Sequence, residues 1–168
     1  MSKAVWSGVI TAAAVLMMSS PAFAQPATDS KNVTVSAQVD AKAKLDLGGA
    51  TTADFPDDDP DTSATLTATA AIAVTVKART TSSGTVTLTV QAGDDLKSGS
   101  DVITIDKLTW TAGGALSAGT MSKSAAVSLG SWTGPGTHNG TQTYKLVNSW
   151  NYVTGNYSTT VTYTLTAP

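Results

Sequence analysis

Threonine alternates with apolar residues along most of this chain, and that period of two constrains the fold more than any other feature. Successive side chains of an extended strand point to opposite faces, so a strand with one buried face reads as apolar and polar residues in turn. Val33, Val35, Ala37 and Val39 start the pattern, and Leu66, Ala68 and Ala70 repeat it against Thr65, Thr67 and Thr69. Ile72, Val74, Val76 and Ala78 follow, then Val86, Leu88 and Val90 against Thr85, Thr87 and Thr89. Val161, Tyr163 and Leu165 close the series against Thr160, Thr162, Thr164 and Thr166. Composition agrees: the chain holds 29 Thr, and all 12 of its acidic residues are Asp, so good helix formers are scarce.

The expected fold class is therefore all-β, a two-sheet antiparallel β-sandwich of Ig-like or pilin-like kind. Residues 62–78 are long for one strand and are expected to bend between the sheets. The loop at residues 80–84 should join the runs on either side of it as a hairpin. Apolar parity passes from odd at Ile103 and Ile105 to even at Leu108 and Trp110, which calls for a β-bulge near Asp106 and Lys107. Residues 125–129 and 144–150 supply further strands, and residues 50–61, 93–100, 111–123 and 130–141 read as connections rich in turn formers.

The start of the chain reads as an address. Lys3 precedes an apolar run at residues 4–18, followed by Ser19, Ser20, Pro21 and then Ala22, Phe23 and Ala24, with small residues where a signal peptidase reads. The expected organisation is a signal peptide, residues 1–24, and a single β-sandwich domain, residues 25–168, carried to the periplasm or the extracellular cell surface. The apolar run falls short of a membrane span, and no other stretch nears the roughly 18 apolar residues one needs, so no transmembrane segment is expected in the mature chain. Removing Lys3 leaves nine basic residues of ten against twelve acids, a net charge of −3 with no basic cluster along the sequence. No nucleic-acid partner is expected from that balance. With no cysteine, neither a disulfide framework nor a thiolate metal site can form.

Each chemically suggestive residue has a plainer reading. Asp57, Asp58, Asp59 and Asp61 carry enough carboxylates for calcium but lack the spacing that wraps a loop around the ion, so they read as a solvated turn. Asp94 and Asp95 read the same way. His138 is the lone histidine, set among Gly134, Pro135, Gly136, Asn139 and Gly140, and reads as an exposed turn residue without a nucleophile beside it. No catalytic, cofactor or metal site is expected. Trp110 reads as core, whereas Trp132, in a Gly-Pro setting, is expected to be exposed. Trp132, Trp150 and Tyr152 together are the candidate platform for stacking on sugars.

The final residues, Tyr157, Ser158, Thr159, Thr160, Val161, Thr162, Tyr163, Thr164, Leu165, Thr166, Ala167 and Pro168, resemble the terminal motif of WxL-type bacterial surface domains. Tyr157, Val161, Leu165 and Pro168 fit that motif, and Tyr163 stands where the family has Trp. Gly155, Asn156 and Tyr157, followed by alternating Thr and Val, are also similar to the ending of pilin-like subunits of the spore-coat-U and Csu type. Those subunits usually carry cysteines and this chain has none. Both resemblances imply a β-sandwich at a cell surface, and neither brings a catalytic residue.

The expected function is that of a non-catalytic structural or adhesive surface domain, self-associating like a pilus subunit or held to the wall, with copies of itself or wall polysaccharide as partners. A carbohydrate-binding module is the alternative. An N-terminal strand at Val33, Val35, Ala37 and Val39 either pairs within its own sheet or is donated to the open edge of another copy. Intact-mass measurement on exported protein should return a chain beginning at Gln25; a mass that retains residues 1–24 rules out the signal-peptide reading.

Overall fold

The computed structural model describes residues 27–168, so the expected signal peptide lies outside the described residues. The chain divides into two units, Met1–Ala37 and Gln38–Pro168, and every strand falls in the second. In chain order these are β1 (Lys42–Asp46), β2 (Thr65–Thr67), β3 (Ile72–Arg79), β4 (Thr85–Ala92), β5 (Leu96–Ser98), β6 (Asp101–Ile103), β7 (Leu108–Gly114), β8 (Gly119–Thr120), β9 (Val127–Thr133), β10 (Gly136–Val147) and β11 (Val161–Thr166). The fold is all-β, with no α-helix among the described residues and none long and apolar enough to cross a membrane.

Two antiparallel sheets face each other. One has the order β1-β3-β10-β7-β8, with β2 pairing the far end of β10, and the other has the order β11-β4-β9. A third, two-stranded ribbon of β5 and β6 adds to the expected pair of sheets. Alternation within the strands follows the sequence: Ile72, Val74, Val76 and Ala78 on β3 and Val86, Leu88, Val90 and Ala92 on β4 are all buried. Burying such side chains contributes about 1.5–3 kcal/mol each, and they form one core with Trp110, Leu129 and Tyr144.

Strand pairing departs from expectation in four places. The runs flanking residues 80–84 do not form a hairpin, because β3 lies in one sheet and β4 in the other. A hairpin and a crossing between sheets both put the same alternate residues on a buried face, so periodicity is silent on the choice. Residues 62–78 do not pass between sheets either. They break into β2 and β3, which lie along the same edge of β10, and Ala68 N donates to Tyr144 O (2.9 Å) where the run is interrupted.

The change of parity before Trp110 is made by a 3-10 turn, Ile105–Lys107, rather than a bulge, and it carries the chain from the small ribbon into β7. The bulge sits instead between β4 and β9, where Leu88 pairs Gly130 but Thr89 pairs Ser128. Leu129 is the extra residue, and its insertion turns both Leu129 and Trp132 toward the core.

Residues 130–141, expected as a connection, are mostly strand. Only Gly134 and Pro135 separate β9 from β10, and Gly134 makes the crossing at φ 79°, in the left-handed region where a side chain is strained. β10 pairs with β3 from Gly136 to Gln142 and with β7 from Gly140 to Leu146, so its first residues, which have few apolar side chains, are held as strand by β3. At Gly140 an added Cβ would lie 2.5 Å from Leu116 Cγ; here glycine makes room for a side chain that packs against the core.

Trp110 is 2 % exposed, as expected, and its Nε1 donates to Ser117 O at 2.8 Å. Opposite it on β8, a Cβ at Gly119 would fall 2.5 Å from the indole ring. The ring cannot retreat without breaking its hydrogen bond. Gly119→Ala should therefore destabilise the fold by about 1–3 kcal/mol, read as a lower denaturant midpoint at unchanged slope.

Candidate interaction site

The aromatic residues expected to act together are separated. Trp132 is half-buried on β9, not exposed on a loop, and its ring stacks on His138 with centroids 4.4 Å apart and planes 7° from parallel. His138 is likewise not an exposed turn residue: it lies on β10 opposite Val76, half-buried. The stack fastens the two sheets just where β9 crosses to β10. Trp150 is 68 % exposed beyond the other end of β10, where its Nε1 donates to Asp61 Oδ1 at 3.1 Å. β10 has 12 residues, so roughly 35 Å of strand separates Trp132 from Trp150. Tyr152 is half-buried and packs against the core. These three residues do not form one stacking surface.

The aspartates mostly hold backbone and ammonium groups. Asp58 Oδ1 accepts from Asp59 N (2.9 Å), Asp59 Oδ1 from Asp61 N (2.9 Å), and Ser63 Oγ donates to Asp58 Oδ2. These bonds, Ser63's first, hold the Asp58 carboxyl below its usual range. Asp94 and Asp95 are more than a solvated turn. Lys97 bonds Asp94 and lowers its pKa to about 2, Lys123 bonds Asp95, and Asp95 Oδ1 accepts from Ile105 N at 2.9 Å, tying three segments together. Among the described residues no group of three or more His, Cys, Asp or Glu is placed to hold a metal ion.

The C-terminal strand β11 faces inward through Val161, Tyr163 and Leu165, as its alternation predicts, and all three are half-buried. Among the described residues β11 pairs only with β4 and β1 only with β3, so on the side where β1 approaches β11 the two strands lie near each other without pairing and each leaves a backbone edge unpaired. The opposite side is joined, since Ser117 N donates to Leu129 O at 2.9 Å. A cleft of about 340 Å³ lies beside β11, lined in part by Leu47, Phe55, Ile72, Tyr157, Val161 and Tyr163. The two edges differ in charge. β1 carries Lys42, Lys44 and Asp46, whereas β11 has no charged residue and no proline to block pairing.

Tyr163, which replaces the tryptophan of the resembled motif, has a task an indole could not perform. Its hydroxyl donates to Gln142 Oε1 at 2.6 Å and lies 2.8 Å from the Tyr144 hydroxyl, which joins the two sheets through a polar bridge. An indole donates one hydrogen bond and accepts none. Gln142 is fully buried, so this bond offsets the cost of desolvating its carbonyl. Periodicity marks Tyr163 as inward but does not name its partner.

The segment expected as the first strand is not one. Residues 27–41 adopt no regular element, and Val33, Val35 and Val39 are 85 %, 89 % and 67 % exposed. Ala37, the remaining apolar residue of that alternation, is exposed too. The alternation is present in the sequence and joins no sheet among the described residues.

Burial pushes the pKa values of Tyr144 and Tyr163 up from the ordinary 10.0, so both phenols stay protonated in the fold where the unfolded chain would ionise. Their contribution is complete below pH 10 and is lost as pH rises above it. Tyr163→Phe should cost about 1–3 kcal/mol by removing the bond to the buried Gln142 Oε1. It should also flatten the fall of stability between about pH 10 and pH 11, measured by urea titration at each pH.

No protein-family model matches this chain, and no curated protein matches it.

Proposed function

We propose that this chain is a secreted, non-catalytic subunit of a bacterial surface structure, and that copies associate when residues 33–39 of one add a strand to the β11 edge of another. One observation carries the reading. A seven-residue alternation of Val33, Val35, Ala37 and Val39 with polar residues stands exposed in a chain that also presents an unpaired, uncharged sheet edge. Exposed valines spaced for one face of a strand cost solvation that pairing recovers. Backbone hydrogen bonds to β11 would supply affinity, and the donated valines would cover the half-buried Val161, Tyr163 and Leu165.

Lys42 and Lys44 on β1 guard the neighbouring edge, which directs pairing to β11. The likeness of residues 157–168 to the terminal strand of surface domains supports the same placement in the cell. Wall attachment and sugar binding have less behind them, because Trp132, Trp150 and Tyr152 share no surface.

Val33→Asp/Val35→Asp should leave the melting temperature of the isolated subunit unchanged and abolish concentration-dependent assembly in sedimentation velocity. A synthetic peptide of residues 27–40 should cap wild-type chains as monomers. Assembly that survives both treatments overturns strand donation.

A further inference from the structure

Charged side chains without an ion-pair partner are sorted to opposite ends of the Gln38–Pro168 unit. On the outer face of the larger sheet, β1 and β3 set Lys42 directly opposite Arg79 and Lys44 directly opposite Lys77. All four are exposed, around an open depression of about 510 Å³ that reaches Thr137 at the start of β10. Like charges directly opposite on a sheet face repel. None of the four has an ion pair among the described residues, while Lys97 and Lys107 each have one and Lys123 has two. Arg79 Nε instead donates to Asp40 O at 2.7 Å. Guarding a free edge accounts for Lys42 and Lys44. It does not account for Lys77 and Arg79, because β3 is paired on both sides.

At the far end of β10 lies the loop of Asp57, Asp58, Asp59 and Asp61, all exposed and without an ion pair among the described residues. Asn148, one residue past β10, anchors this loop by donating to Asp58 O (2.9 Å) and Ser63 O (3.0 Å). Two cross-strand pairs of cations and four aspartates are therefore held roughly 35 Å apart, the length of β10. The separation is not absolute: Asp40 and Asp46 flank Lys42 and Lys44 in the chain, Lys145 lies on β10 toward the acidic end, and Asp54 and Asp101 are likewise without an ion pair among the described residues.

We infer that the two ends are complementary halves of a head-to-tail contact, in which the basic pairs of one copy receive the aspartate loop of the next. Two different patches meet in such a contact, so it repeats along a line instead of closing about a two-fold axis. The second copy is the occupant that the molecule's own charges describe, four cations against four carboxylates. The inference rests on the reading that copies associate, but it does not depend on strand donation.

The test is sedimentation velocity of the full exported chain at low salt and at about 1 M, where screening shortens the Debye length to about 3 Å. Salt should dissociate the wild-type assembly. Lys44→Glu/Lys77→Glu and Asp57→Lys/Asp61→Lys should each weaken association about tenfold or more, with melts matching wild type. Mixed one to one, the neutral variants Lys44→Gln/Lys77→Gln and Asp57→Asn/Asp61→Asn should form a dimer and stop, because one keeps an intact acidic loop, the other an intact basic face, and the remaining ends carry no swapped charges with which to pair. Lys44→Gln/Lys77→Gln provides the milder version if the reversal disturbs folding.

Assembly indifferent to salt and to both variants overturns the contact and leaves strand donation standing. Assembly lost in the charge variants but kept in Val33→Asp/Val35→Asp supports the contact and removes strand donation. A wild-type chain that is monomeric at every salt overturns both. If Lys44→Glu/Lys77→Glu loses retention on immobilised polyphosphate while assembly is unchanged, the basic face serves an anionic polymer and the inference is wrong.

Discussion

Everything in this sandwich is arranged about the backbone hydrogen bonding of β10. It is the longest strand, and it is paired along both edges, to β3 and β2 on one side and to β7 on the other. A strand satisfied on both edges needs few apolar side chains to stay in place, because leaving its amides unpaired inside the protein would cost about 1–3 kcal/mol apiece. Both edges are filled from Gly140 onward, whereas the glycine-rich start, residues 136–139, is held as strand by β3 alone, and small residues at this end make room for Leu116 and lie beside the His138 ring. The inward stripe then turns to Gln142, Tyr144 and Leu146, all buried.

A polar bridge at the middle of that stripe ties the sheets together. Gln142 and Tyr144 come from the larger sheet and Tyr163 from the smaller, so the hydroxyl and amide contacts specify how the sheets face each other where aliphatic packing alone would tolerate sliding. The Trp132 and His138 stack pins one end of the same interface. Ion pairs at Asp94 and Asp95 act elsewhere, on the ribbon, where exposure keeps them weak individually and their shared geometry gives them their effect.

The same economy leaves one side of the molecule open. A three-stranded sheet facing a larger one ends at β11 before its inward residues are fully covered, and among the described residues no strand pairs with that edge, although β1 of the larger sheet approaches it. An uncharged free edge and an exposed alternating segment in one polypeptide are hazards singly, since each invites pairing with other chains. Together they are the features on which the proposed association of copies rests, and the basic face and acidic loop at opposite ends of β10 are those on which the proposed head-to-tail contact rests.

Local alternation determined the all-β class, the inward identity of Val74, Val76, Val86, Leu88, Val90, Val161, Tyr163 and Leu165, and the burial of Trp110, because side-chain direction in a strand depends only on parity. The absence of cysteine, independently, rules out a disulfide. What it left undecided was every question about which strand lies beside which. Parity is the same whether β3 and β4 form a hairpin or face each other, and whether Val33–Val39 alternates for its own sheet or another's. The strand at residues 136–143 is invisible to parity for a related reason: it is held by backbone pairing with β3, joined by β7 from Gly140 on, and not by its own side chains. Trp132 and His138 were read as loop residues on the same local grounds, and the gathering of Lys42, Lys44, Lys77 and Arg79 onto one face arises only when β1 pairs with β3. Charge along a sequence is a sum, whereas charge on a surface depends on register, and register is set by hydrogen bonds between residues far apart in the chain.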